Sequence, residues 1–340
     1  MSKKIKYKKI WKNSTLYSKI FSRSMKKIVL LLSALLPLIF SGCSKNKQNS
    51  ESVVNIAIQP SAAFIPLYVA RYKGFIEEAL RPMNVKVNWQ DFESGPKMND
   101  SLTANLSDIA VIGDVPTVVS LTSPTQMKIA GIPGRGPNAY AMLALKDNND
   151  FNSIDDIKGK KIATVFGSTG HNLTTKLLKK VGLTFEDIEF ISIAASDAED
   201  ALTTYLADAV VIWEPNVTRL LDNGIAKVIC YGSETDLKGT NAFVVRDDYL
   251  ISHKEVIKTI LEQFERASKI IQNLDDETLK RTAIALQIKP EQVKKISKIY
   301  DFSIEVTYDD IKSLNDTVKF LIDIGNLSTT FNVESKVVVF

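Results

Sequence analysis

Cysteine and histidine each occur only twice in 340 residues. With Cys43 and Cys230 the only thiols, a Cys-rich metal site is excluded, and two histidines cannot build a three-histidine one. The chain lacks a Walker lysine loop, a Gly-x-Gly-x-x-Gly turn, a His-Glu-x-x-His helix and a Gly-x-Ser-x-Gly elbow. No nucleophile is paired with a base, so neither an enzyme nor a cofactor nor a metal is expected. Positive charge is also scarcer than the formal +4 suggests. The first 42 residues hold 10 of the 43 Lys and Arg and none of the 39 Asp and Glu, so from Cys43 onward the balance is a net −6. Nucleic acid is therefore not an expected partner. No segment recurs with a period of roughly 20 to 50 residues, which excludes solenoids and propellers.

A long apolar run occurs at residues 28–40, after Lys26 and Lys27. Its 13 residues, rising about 1.5 Å each, cover about 20 Å against about 30 Å of hydrocarbon, too little for a spanning helix. Small residues follow, which predicts a signal peptide over 1–42, with Met25 rather than Met1 as the start. Ser41-Gly42-Cys43 resembles a bacterial lipobox. That resemblance implies a diacylated Cys43 as the new first residue, lipid-anchored in the cell envelope and facing the periplasm or cell exterior. Residues 43–52 are polar and aperiodic, as a tether is, and the folded part is expected from Val53. With Cys43 acylated, Cys230 has no disulfide partner, and its apolar surroundings mark it as a core residue.

Between 53 and 212, short apolar runs alternate with amphipathic segments. Strands are predicted at 53–58, 85–89, 108–112, 127–132, 161–165, 188–193 and 208–212, and helices at 65–80, 97–106, 172–181 and 198–206. Alternation of this kind implies an α/β fold with mostly parallel sheets flanked by helices. After Lys254 the pattern turns helical, at 254–273, 276–286, 290–299 and 308–324.

Ligands of such sheets collect beyond the carboxyl ends of the strands, where helix N-termini favour anions. Four junctions qualify: 59–64, 91–96, 113–116 and 166–172. In the last, Gly167 and Gly170 let backbone approach a ligand. Ser168 and Thr169 suit either an anion cradle or the cap of the helix near His171, and residue chemistry does not choose between them. His171 is read as a capping or packing residue that can also donate to an anion. Trp213 suits stacking on a ligand or closing the core, with Glu214 and Pro215 opening the next helix. Arg135, in a Gly/Pro loop, is either a forked anion contact or a solvated arginine. Asp108 and Asp208 precede apolar strands, away from any crevice.

Several blocks then converge in order: ProLeuTyrValAlaArgTyrLysGlyPhe (66–75), PheGluSerGlyProLysMet (92–98), AspIleAlaValIleGlyAspValPro (108–116), GlySerThrGlyHis (167–171) and AspAlaValValIleTrpGluPro (208–215), with further matches at 153–163 and 196–201. In these the chain resembles the substrate-binding lipoproteins of ABC importers for nitrate, taurine and aliphatic sulfonates. Tyr205 stands where that family commonly has glycine. The resemblance implies a two-lobed type II periplasmic-binding fold, with lobe 1 at 53–140 and 244–340, lobe 2 at 141–243, and crossovers near 139–145 and 241–246. It implies ligand contacts at Ser61, Ala62, Ser94, Gly95, Gly113, Asp114, Ser168, Thr169, His171, Trp213 and Glu214. The expected function is capture of a small anion or zwitterion, sulfonate-like, taurine-like or nitrate-like, by a monomer that delivers it to a permease and its ATPase. If Asp114 and Glu214 both face the crevice, a zwitterion's amine is expected to pair with them. The alternatives are a relative that binds or synthesises a thiamine-pyrimidine precursor, and a sensory binding lipoprotein.

Overall fold

The computed structural model describes residues 51–340. The leader over 1–42, the acylation of Cys43 and most of the tether lie outside the described residues. The strands are β1 (Ser52–Ile58), β2 (Val85–Asp91), β3 (Ile109–Gly113), β4 (Met127–Arg135), β5 (Tyr140–Leu145), β6 (Lys161–Thr164), β7 (Glu189–Ser192), β8 (Ala209–Trp213), β9 (Ala226–Tyr231) and β10 (Thr240–Arg246). The helices are α1 (Ile65–Lys73), α2 (Phe75–Leu80), α3 (Gly95–Thr103), α4 (Asp114–Leu121), α5 (Thr169–Lys180), α6 (Ala198–Thr203), α7 (Asn216–Asp222), α8 (Asp247–Ser252), α9 (Lys254–Ser268), α10 (Asp276–Leu286), α11 (Pro290–Ser297) and α12 (Tyr308–Asp323). None of them is long and apolar enough to cross a membrane.

Apolar periodicity located these elements well, and local chemistry sets their ends. The helix predicted over 65–80 is two helices, because Gly74 adopts φ +67 and interrupts the run. α10 starts where the Asp275 carboxylate accepts the Thr278 amide, and α12 where Thr307 and Asp310 cap each other reciprocally. In α9, Val256, Ile257, Ile260, Leu261 and Phe264 are buried at spacings of three and four, so one face packs on α1 while the other meets water. Burying each such side chain stabilises by about 1.5–3 kcal/mol.

The strands form two five-stranded sheets, ordered β2-β1-β3-β10-β4 and β7-β6-β8-β5-β9. β1 pairs in parallel with β2 and β3, and β6 with β7 and β8. β10 and β5 each run antiparallel to both neighbours. Each sheet is therefore mixed, with four strands pointing one way and one reversed. The halves built on them are lobe 1 and lobe 2; α9 and α10 pack on α1, and α12 on α4, in lobe 1.

The reversed strands correct one expectation. Residues 139–145 and 241–246, read as crossovers, are β5 and β10, each inside a sheet. The chain passes between sheets over 136–139 and 232–239, so the limit expected at 243/244 falls within a strand of the first sheet. The direction of these strands has a geometric cause. A chain leaving the carboxyl end of one sheet enters the other from the facing side, and it then runs away from the gap, against the four other strands. The first residues of β5 and β10 are thereby brought to the gap.

Arg135 is neither an anion contact nor solvated. Its Nε and Nη2 grip the carboxylate of Asp310 at 2.7 and 2.6 Å, and its Nη2 donates to the Glu305 carbonyl at 2.5 Å. This fork ties the end of β4 to the first turn of α12.

Candidate functional site

A small cavity of about 20 Å³ lies where the two sheets face each other. It is little larger than the roughly 10–15 Å³ that one water needs. Lobe 1 lines it with Gln59 after β1, Ser61, Gly95 at the start of α3, Gly113 at the end of β3, and Asn241. Lobe 2 supplies Ser168 and Thr169 at the start of α5, Trp213 at the end of β8, and Tyr140. Pro96 and Pro116 close the remaining wall.

The chemistry of these walls comes from helix ends and neutral donors. The N-termini of α3 and α5 arrive from opposite lobes. Ser94 makes no side-chain cap to α3, so its hydroxyl does not take up the first amides of that helix. Each helix end contributes about 0.3–1 kcal/mol to an exposed anion, more where partly buried. Burial and the nearby Asp114 hold the Tyr140 hydroxyl well above the usual phenol range, so it remains a donor beside Thr169 and Asn241. Neither Lys nor Arg lines the cavity. Gln59 is buried with its Oε1 unpartnered, and Tyr300, buried next to Ser61, makes no well-formed hydrogen bond through its hydroxyl.

The residues singled out in the sequence divide into two groups. Ser61, Gly95, Gly113, Ser168, Thr169 and Trp213 line the cavity. Ala62, Ser94, Asp114, His171 and Glu214 do not. The Ala62 amide donates instead to the Glu214 carbonyl across the lobes, at 3.1 Å. Ser94 is the N-cap residue of α3. Ser168 is also a helix cap, since its Oγ accepts from the amides of Gly170 and His171 at 3.1 and 3.4 Å and donates to the Val165 carbonyl. The amides of 167–171 are thus largely satisfied within the turn, with Gly167 donating to His171 Nδ1.

His171 points away from the cavity, into a ring of Phe166, Phe185, Phe190 and Phe320 at centroid distances of 5.0–5.5 Å. Burial there lowers its pKa to about 4, so it is neutral at pH 7. The ring borders a separate apolar pocket of about 650 Å³. His171 is a packing residue, and its short distance in sequence from Thr169 is misleading: two residues on, a helix has turned by about 200°.

The expectation that Asp114 and Glu214 offer charge to an amine is corrected as well. Asp114 Oδ1 accepts from Thr169 Oγ1 at 2.6 Å and Oδ2 from Asn172 Nδ2 at 2.7 Å. Glu214 Oε2 and Oε1 accept from the amide and hydroxyl of Thr218, at 3.0 and 2.8 Å. Burial raises the Glu214 pKa to about 6 against the lowering effect of those bonds. Both carboxylates are spent on the protein itself.

Tyr140 and Asn241 were missed. Tyr140 is the first residue of β5 and Asn241 the second of β10, the two reversed strands, and a search limited to the carboxyl ends of strands passes over them. The only available signal was the Gly/Pro-rich and Gly/Asn-rich stretch before each.

The family model described as NMT1/THI5 like matches residues 61–278. A putative aliphatic sulfonates-binding protein of Bacillus subtilis is 28% identical over 301 residues, 87% of this chain and 90% of its own length. The taurine-binding periplasmic protein of Escherichia coli is 24% identical over 250 residues, 72% of each chain. Among solved structures, the alkanesulfonate-binding protein SsuA from Xanthomonas axonopodis pv. citri, bound to MOPS, superposes with a TM-score of 0.75 at 21% identity, covering 84% of this chain and 98% of that one. This last likeness is one of fold: two lobes with a helical C-terminal region.

Proposed function

The chain belongs to the NMT1/THI5-like family, and from that premise we propose that it is an extracytoplasmic solute-binding protein of an ABC importer. It captures a small anion or zwitterion between its lobes, a sulfonate by first preference and taurine or nitrate next, and hands it to a permease driven by an ATPase. It works as a carrier, not an enzyme, as a monomer anchored through lipid on Cys43.

The observation that carries this reading is the α3 N-terminus of lobe 1, left uncapped by Ser94, facing the positive end of the α5 dipole of lobe 2 across a cavity walled by Ser61, Gln59, Trp213, Tyr140 and Asn241 with no side-chain cation. Helix ends and neutral donors suit a weakly basic, singly charged oxyanion, which needs several hydrogen bonds and no counter-ion. The names of the relatives point to the same chemistry. The small cavity means that a molecule the size of taurine enters when the lobes part and is gripped as they approach, which is how differential affinity drives closure.

The test is thermal denaturation of the full chain with ethanesulfonate, taurine and nitrate. A bound solute at a hundred times its Kd adds about 2.7 kcal/mol, a rise of several degrees in Tm. No shift with any of the three at 10 mM would remove the reading.

A further inference from the structure

Asp114 is 2% exposed and begins α4 in lobe 1. Its carboxylate has about four lone-pair positions, and four donors lie within reach of them, of which the Thr317 hydroxyl shares its one proton with the Ser313 carbonyl at 3.1 Å. The Val115 amide, at 2.8 Å, and the Thr317 hydroxyl of α12, at 3.2 Å, come from its own lobe. Thr169 Oγ1, at 2.6 Å, and Asn172 Nδ2, at 2.7 Å, come from α5 of lobe 2. No cation lies within ion-pairing distance among the described residues, so the carboxylate depends wholly on these neutral donors. Hydrogen bonds to an ionised acceptor are roughly twice as strong as neutral ones. If the lobes part only slightly, both lobe 2 donors are lost before water can replace them, and a buried carboxylate short of partners is costly. The arrangement therefore favours two states, lobes joined or lobes well apart.

We propose that Asp114 is a latch between the lobes, a positioning residue that sets how readily the protein closes on its solute without touching the solute itself. It faces α5, not the cavity, and Asn172 likewise lies outside the cavity wall, 2% exposed. The latch also fixes Thr169, whose hydroxyl proton is committed to Asp114, so that residue meets the cavity in one orientation. Two peripheral contacts act in the same direction: Gln292 of α11 donates to Asp222 of α7 at 2.6 Å, and Lys179 of α5 pairs with Asp323 of α12 at 3.1 Å. Both are nearer the surface, and exposed pairs contribute little. The effect on affinity rests on the solute-binding reading; the effect on the lobes does not.

The consequence is specific. Weakening the latch lowers the fraction of closed protein, and every solute then loses affinity by the same factor. A direct contact to the solute would instead change the ranking of solutes. The experiment uses the full chain with Cys43→Ser and nitroxide labels at Leu106→Cys and Leu206→Cys, two exposed positions, one on each lobe. Distances between the labels are measured by pulsed electron resonance with no solute added, in the parent and in Asn172→Ala, Asp114→Asn and Thr317→Val. The first two are expected to shift population to longer distances. Thr317→Val, which removes a bond within lobe 1, is expected to leave the distances unchanged. Kd for ethanesulfonate and for nitrate should rise about 10-fold in Asn172→Ala, equally for both. Unchanged distances in both Asn172→Ala and Asp114→Asn would overturn the latch, and so would a loss confined to one solute. If neither solute binds the parent, the transport reading fails, and the distances still decide the latch.

Discussion

The turns after β3 and β8 occupy equivalent places in the two lobes. Each follows the third of three parallel strands, each begins with an acid, and each leads into a helix. The equivalence extends upstream. Asp108 accepts the Asn55 amide at 2.7 Å, and Asp208 accepts the Lys161 amide at 2.8 Å, so in both lobes an aspartate steadies the neighbouring strand away from the gap. At the gap the two lobes diverge. The shorter Asp114 sends its carboxylate across to lobe 2, while the longer Glu214 curls back onto Thr218 of its own lobe and crosses only with its backbone carbonyl. One acid links the lobes and the other links a turn to its helix, so the same kind of residue at the same topological position governs closure in one case and local stability in the other.

The largest effects should come from glycines on either side of this contrast. A methyl at Gly113 would run into Thr169 Oγ1 of the other lobe, whereas one at Gly170 would meet Thr164 Oγ1 and the Val211 carbonyl, at 2.9 Å, within its own lobe. Gly113→Ala is expected to hold the lobes apart and weaken solute binding by about 100-fold, which is about 2.7 kcal/mol, with unfolding in urea little changed. Gly170→Ala is expected to cost about 1–3 kcal/mol of stability. Isothermal titration and urea unfolding of both variants separate the two; equal losses of stability would erase the distinction between lobes.

Glu214 gives the next effect, and its sign follows from its pKa. Burial lifts its folded value to about 6, above the ordinary glutamate value of 4.5, so the folded state holds the proton more tightly and stability falls as pH rises through that window. The shift corresponds to about 2 kcal/mol lost by pH 7. Glu214→Gln removes the charge while its Oε1 still accepts from the Thr218 amide and its Nε2 donates to the Thr218 hydroxyl, and it should be more stable than the parent at pH 7 by up to that amount, with the difference vanishing near pH 4. Urea unfolding at pH 4, 5, 6 and 7 checks it, and a parent whose Glu214-dependent stability rises with pH would contradict the assignment.

The smallest effect compares Tyr205 with its counterpart Asn105. Both adopt left-handed backbone, φ 57 and 59, in the turns leading to β8 and β3. Asn tolerates that conformation, and Tyr does so at a cost of about 1–2 kcal/mol. Tyr205 is 77% exposed, so little packing is lost on substitution. Tyr205→Gly should stabilise by about 0.5–1 kcal/mol after the added flexibility of glycine is counted, while Asn105→Gly should be near neutral. Thermal denaturation of the pair measures the difference between the lobes.

Much of the fold was legible in the chain because apolar periodicity reports burial directly. The helices at 276–286 and 308–324 and the strands at 53–58 and 85–89 fall within a residue or two of the observed elements. β5 and β10 escaped because a buried strand and an extended connection read alike: both are short apolar runs. For the site, Ser61, Gly95, Gly113, Thr169 and Trp213 were reachable from the rule that ligands gather beyond strand ends. The misplacement of His171 and Glu214 came from treating neighbours in sequence as neighbours in space.

By itself the amino-acid sequence determined the class of the protein. Its poverty in cysteine and histidine removed Cys-rich and three-histidine metal sites, its strand and helix alternation required layered sheets, and its turns marked where a solute could sit. All of that is local, decided by the pattern of a few residues. Which carboxylate reaches across, which hydroxyl is already occupied and which strand enters its sheet reversed are matters of long-range placement. Asp114 and Asn172 are 58 residues apart, and only the packing of α5 against α4 and α12 brings a charge and its donors together out of water.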